Sequence, residues 1–312
     1  MPGKGSGEID SQAPAGFFRR LEDGLFKQVD ASSLAVFRIG FGVIMLVECW
    51  RFWEHGWIAR YYIDPEFHFT YYGFGWVAPW PGDGMYWHFW LLAVLSLLIT
   101  IGLFYRAAII VFFFAFTYVF LLDQARYLNH FVLVSMIAFL MMLVPANRIW
   151  SLDALISRRL GDWTAEVPAW TVWLFVMQFE IMYVFAGIVK VNPDWLRLEP
   201  LAMWLARRAD APLIGPLLLE DWVIAAGAYG VILLHIVGAP LLLFRRTRLP
   251  VAVIYFAFHL ANHFTFRIGI FPWVAMLGTL MFFDPDWPRR LFERPRQALA
   301  RLLSSERRVA DV

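Results

Sequence analysis

Lys190 closes an almost wholly apolar stretch, QFEIMYVFAGIVKVNPDW (178–195), that also carries Glu180 and Tyr183. At 100° per residue, Glu180, Tyr183, Gly187 and Lys190 fall within an arc of roughly 80° on a helix. Asn192 and Pro193 then forbid an ordinary continuation of that helix. An ionisable side chain at hydrocarbon depth costs about 3 kcal/mol, and such groups face a cavity or a partner. Desolvation lowers a lysine's pKa toward neutrality and makes it a usable general base. The competing reading is that Lys190 only snorkels to the interface. Ala186 and Gly187 leave room for a ligand against the helix. Glu180 lies about 15 Å deeper along the axis, as a proton relay or as a structural partner of Arg38.

Two further groups carry chemistry. The run 121–130 (LLDQARYLNH) is polar between apolar segments and ends in Asn129 and His130. Asp123 or Asn129 can cap a helix, whereas His130 can orient a substrate or protonate an oxyanion. His259, Asn262 and His263 share one helical face at i, i+3 and i+4. Two histidines at that spacing can bind zinc. The intervening Glu of a metalloprotease helix is missing and no third ligand is evident, so the expectation is a hydrogen-bonding wall of a ligand pocket and no metal. Arg38 stands one turn into the first apolar run, snorkelling or paired inside the bundle. His235 reads as structural, and His55, His68 and His88 as interfacial. No P-loop, dinucleotide fingerprint or nucleophile elbow is present.

The elements that must position these residues are membrane helices. The chain is 60% hydrophobic and 18% aromatic but only 17% charged, against roughly 25% charged in soluble proteins; mean hydropathy is +0.58. The expected fold is an all-α integral membrane protein, a bundle of about eight transmembrane helices with short interfacial helices. The spans are placed at 33–50, 87–104, 107–122, 129–145, 168–189, 222–244, 249–264 and 268–283. Short interfacial helices are expected at 151–159 and 196–208, and an aromatic, Gly/Pro-rich loop at about 54–85. Residues 1–31 form an N-terminal tail with an amphipathic segment, 32–285 the transmembrane domain, and 286–312 a basic tail. No cleavable signal peptide is evident, and the lone Cys49 excludes an internal disulfide.

Arginine and lysine fall mainly on the side that holds both termini, which the positive-inside rule makes cytoplasmic. They mark a membrane face and not a nucleic-acid surface. With that orientation Lys190, the Asn129–His130 pair and the 259–263 face all reach the extracytoplasmic side. One polar site there can contain all three groups.

Several blocks in order resemble the membrane part of the vitamin K-dependent gamma-carboxylase family, the HTTM domain. They are DASSLAVFRIGFG (30–42), YVFLLDQARYLNH (118–130), ANRIWSLDAL (146–155), YVFAGIVKVNPDW (183–195), FHLANHFTFRIGIF (258–271) and DPDWPRRL (284–291). The family's enzyme oxidises vitamin K hydroquinone with O2 to its epoxide. The alkoxide-type base so formed removes the γ-proton of a peptidyl glutamate, and the carbanion captures CO2. The resemblance implies that Lys190 deprotonates the hydroquinone. It also implies that Asn129 and His130 support the reacting oxygen chemistry or the substrate carboxylate, and that His259 and Asn262 line the cofactor pocket; Tyr183, His263 and Arg38 are further candidates for binding cofactor or substrate. The implied cofactor is a reduced menaquinone- or phylloquinone-type hydroquinone, with O2 and CO2 as co-substrates. Implied partners are the lipid bilayer, the quinone and a glutamate-containing peptide or protein, reached through a separate recognition protein. The first of the family's two adjacent lysines is Val189 here, and the large lumenal recognition domain is expected to be absent. The setting is a bacterial cell membrane, or the endoplasmic reticulum in a eukaryote. The alternative reading is a non-catalytic lipid- or quinone-binding or assembly protein; a transporter would need paired broken helices, which the sequence does not show.

Overall fold

Apolar residues surround most of these helices on every side, which is the pattern of segments buried in lipid or in a large core. In the computed structural model, which describes residues 16–161, 163–212, 214–266 and 268–292, every expected apolar run is a helix. They are α2 (Ser32–Glu54), α3 (Gly84–Ile101), α4 (Tyr105–Leu121), α5 (Asn129–Leu143), α7 (Trp170–Ile188), the Asp221–Leu242 run made of α10 (Asp221–Leu233), a π-helical turn (Leu234–Gly238) and α11 (Ala239–Leu242), α12 (Arg248–Phe266) and α13 (Phe271–Thr279). Five of these, α2, α3, α7, Asp221–Leu242 and α12, are long and apolar enough to cross a membrane. Tyr105–Leu121, Asn129–Leu143 and Phe271–Phe282 are apolar but shorter.

Short amphipathic helices fill the connections: α1 (Phe17–Phe26), α6 (Leu152–Arg159), α8 (Pro193–Leu196) and α9 (Glu199–Ala206). The expected helix at 196–208 is therefore two pieces, parted at Leu198, whose φ of 67° breaks the helical path. The Gly/Ser/Pro-rich beginning and most of the arginine-rich end lie outside the described residues.

Local signals set the ends of the helices. Gly102 takes the left-handed conformation (φ 65°) that terminates α3. Ser151 caps α6 by accepting from the Ala154 N–H. Asn192 caps α8, its side-chain oxygen accepting from the N–H groups of Asp194 and Trp195, with Pro193 at the first helical position.

The sequence reading missed a short antiparallel ladder. β1 (Gln28–Asp30) pairs with β2 (Glu166–Pro168), Val29 facing Val167. It ties the start of α2 to the start of α7. The N–H of Ser33 donates to the Pro285 carbonyl at 3.1 Å, which brings the end of the α13 segment to this same face. Arg248, the first residue of α12, pairs with Asp284 there. The ladder face therefore holds the starts of α2, α7 and α12, and alternation of direction places the start of α5 and the ends of α7 and α12 on the far face.

Candidate functional site

On the far face α7 presents Tyr183 and Gly187, and its exit presents Lys190. Tyr183 is buried; its hydroxyl donates to the Ala275 carbonyl (2.9 Å) and lies 2.8 Å from Thr279 Oγ1. His259 Nε2 lies 3.4 Å from the same hydroxyl. With the tyrosine proton committed to Ala275, His259 donates from Nε2, and Nδ1 is left a buried acceptor with no partner. Tyr255 packs beside both, its ring centroid 4.3 Å from that of Tyr183 and 6.0 Å from that of His259.

Gly187 is where α7 meets the π-helical turn. A Cβ there would stand 2.7 Å from Ile236 Cγ1 and 2.9 Å from His235 Cβ. The close approach puts His235 in the cluster, its ring centroid 5.7 Å from that of Tyr183 and edge-on to it. His235 donates from Nδ1 to the Val231 carbonyl at 2.8 Å. Gly187→Val should therefore cost about 1–3 kcal/mol through overpacking, read as a lower unfolding temperature in detergent; an unchanged temperature would mean that these helices do not meet here.

Lys190 is half-buried. Its Nζ donates to the Ala186 carbonyl at 2.8 Å and stands 5.4 Å from the Trp195 ring centroid. Burial pushes its ammonium below the ordinary lysine range. Among the described residues no carboxylate pairs with it.

His130, one residue into α5, faces a different neighbour. Arg51 and His130 converge over Gly269: a Cβ on that glycine would lie 3.2 Å from Arg51 Nη1 and 3.7 Å from His130 Nε2. Gly269 has φ 60°, so the turn needs glycine both for its backbone and for this approach. Arg51 donates to buried Glu48 at 2.6 Å. This Glu48–Arg51–His130 arrangement is absent from the sequence reading; the i, i+3 pair at the end of an apolar helix was the available signal. Glu48 also walls a narrow apolar cavity with Cys49, Phe52 and Phe131, of about 10 Å³, room for about one water molecule.

Phe271 stands between the two histidine clusters, its ring centroid 5.9 Å from His259 and 6.5 Å from His130. His263 packs on Trp273 at 5.2 Å and leaves a buried Nδ1 without a partner. Asn262 is half-buried, and Asn129 is exposed as the first residue of α5. Asn129 does not act as a cap; Asp123 does, accepting from the Ala125 N–H.

The structure thus brings Tyr183, His235 and His259 together, with His130 across Phe271, while Lys190 stands at the exit of the same helix against Ala186 and Trp195. No hydrogen bond joins His130 to Lys190. His235 is buried, bonded to the Val231 carbonyl, and packs edge-on to Tyr183 and Tyr255. Arg38 stands elsewhere, near the ladder face, and does not pair with Glu180. It is fully buried and donates to four backbone carbonyls: Ala146 (3.1 Å), Ile99 (2.6 Å), Thr100 (2.5 Å) and Trp150 (2.6 Å). Glu180 keeps one buried carboxylate oxygen, Oε2, without a partner.

Residues 26–287 match the HTTM domain family. The chain belongs to the HTTM family. This is the domain of the vitamin K-dependent gamma-carboxylase family, so the chain is a multi-pass membrane protein of that family. The match takes in the ladder, the whole apolar bundle and every candidate residue described above. No solved structure matches the chain.

Proposed function

We propose that this HTTM protein is a membrane enzyme that couples oxygenation of a reduced naphthoquinone to carboxylation of glutamate in a peptide or protein. The observation that carries the reading is Lys190: a half-buried amine on the helix exit, bonded only to a carbonyl and paired with no carboxylate. Such an amine can shed its proton and act as a base. The remaining parts fit a hydroquinone. Tyr183, Tyr255, Phe258 and Phe271 are flat aromatic neighbours of His259, and Nδ1 of His259 and of His263 have hydrogen-bonding capacity with no partner among the described residues. When bound, the hydroquinone supplies, with O2, the strong base needed to remove a glutamate γ-proton.

The protein's own groups divide the remaining work. Lys190 Nζ takes a proton from a ligand hydroxyl. Tyr183 and His259 hold the ring in register, with Asn262 and His263 at its edge. His130, near Arg51 at Gly269 and next to Asn129 in the chain, orients the glutamate carboxylate. The bundle crosses the membrane eight times, the three shorter helices included, with both termini cytoplasmic and the site on the extracytoplasmic side of a bacterial cell membrane or of the endoplasmic reticulum. A separate recognition protein delivers the glutamate substrate.

The test is turnover by the purified protein in nanodiscs, with reduced menaquinone, O2, labelled bicarbonate and a glutamate-rich peptide. Quinone epoxide and label fixed in the peptide are the expected products. Quinone that binds without turnover, with affinity indifferent to His130→Ala, would instead make the chain a quinone-binding or assembly protein.

A further inference from the structure

A second polar feature lies at the ladder face, remote from Lys190. The end of α5, the start of α4 and helix α6 enclose a crevice of about 250 Å³. Arg106, Asn147, Arg148, Asp153 and Ser157 line it. Most of its polar groups are spoken for. Asp153 accepts from the N–H groups of Phe104 (2.9 Å) and Tyr105 (3.0 Å) and from Asn147 Nδ2 (2.8 Å). Arg106 donates to the Met142 carbonyl. Arg148 is the exception. It is half-buried, its carbonyl accepts from Trp163 Nε1 at 2.7 Å, and its guanidinium has neither a hydrogen bond nor an ion pair among the described residues. A third cation, Arg158, stands over the Trp163 ring at 3.7 Å. The crevice therefore holds an unspent positive charge beside a lone acid whose oxygens are already engaged.

Its surroundings say what would fill it. Helix α6 turns Leu152, Leu155 and Ile156 outward, and Leu160 follows it at 78% exposure. Phe104 and Leu143 are exposed on the neighbouring helix ends. These apolar groups border the crevice where the transmembrane helices stop, which is headgroup depth. A soluble anion would gain nothing from them, whereas acyl chains would.

We propose that this crevice binds the phosphoryl headgroup of an anionic phospholipid, with Arg148 and Arg106 on the phosphate and the acyl chains along α6 and the ends of α4 and α5. Fixed cations between helix ends at the membrane surface attract such headgroups by charge, and guanidinium groups match phosphate oxygens geometrically.

The test is native mass spectrometry of the full chain, titrated with dioleoylphosphatidylglycerol or dioleoylphosphatidylcholine, with and without inorganic phosphate. Wild type should retain phosphatidylglycerol in preference to phosphatidylcholine. Arg148→Gln, which breaks no bond of its side chain in the protein, should weaken that retention about fivefold, the worth of one cation near a charged surface. Ser157→Phe fills the crevice without changing charge and should have at least the same effect. Arg148→Lys should retain most of the binding. Equal retention of the two lipids, or phosphatidylglycerol binding that neither variant lowers, overturns the proposal. Displacement of the lipid by millimolar inorganic phosphate would overturn it too, by making the ligand a soluble anion.

Discussion

Lys190→Ala lowers quinone epoxide formation by about 10²–10⁴-fold, the usual worth of a positioned general base, while reduced quinone still binds. Lys190→Arg fails to restore the rate, because a guanidinium keeps its proton at any accessible pH. The pH dependence has a definite sign. Burial holds the ammonium below its ordinary range, so the amine becomes competent at a lower pH than a solvated lysine would. The wild-type rate should climb with pH and level off once the amine is neutral. A Lys190→Ala protein with unchanged turnover, measured in nanodiscs of the same lipid, would remove the chemistry proposed for this residue and leave the fold untouched.

The largest effect on stability is expected at Arg38. Its guanidinium gathers four backbone carbonyls from two segments, the end of α3 and the connection between α5 and α6. Ile99 and Thr100 lie at the C-terminal end of α3, where unsatisfied carbonyls carry partial negative charge. Trp150 is held with φ 50°, a strained conformation for a large side chain, and its carbonyl is one of the four acceptors. Arg38→Met keeps the side-chain volume but leaves the Thr100, Ala146 and Trp150 carbonyls without donors, while Ile99 keeps the Gly102 N–H. At about 1–3 kcal/mol for each unsatisfied group, partly relieved by local movement, the loss is about 3–6 kcal/mol. Arg38→Lys should recover little, since an ammonium cannot reach acceptors spread around a planar fork. Thermal unfolding in detergent, followed by the monodisperse fraction, measures this; a shift of a degree or two would show that the clamp is dispensable.

The contrast between these residues shows what could be read without coordinates. The apolar runs are long and Pro193 marks the end of one, so the helices fell close to where expected, although the 87–104 span overran the left-handed Gly102 that ends α3. Alternation of direction then carried Lys190, His130 and His259 to one face. Contacts whose acceptors are backbone atoms were not legible: Arg38 pairs with carbonyls, which leave no mark in the sequence. The packing of His235 against Tyr183 was hidden for another reason. It depends on the π-helical turn at Leu234–Gly238 and on Gly187 opposite, a break in helical register that periodicity at 100° per residue cannot anticipate. Arg51 and His130 meet only because Gly269 turns with positive φ between them. The β1–β2 ladder is three residues long on each side, too short for an alternating pattern.

The short helices have a consequence for access. Asn129–Leu143 has 15 residues, a length of about 22 Å against a hydrocarbon slab of about 30 Å. Lipid around such a helix must thin or dimple to meet its ends. His130 and Phe271 open two of the three stunted helices, so the bilayer should be most deeply indented directly above them. A charged peptide approaching from water would there find a funnel already sunk into the membrane, and would meet the imidazole without first crossing oil.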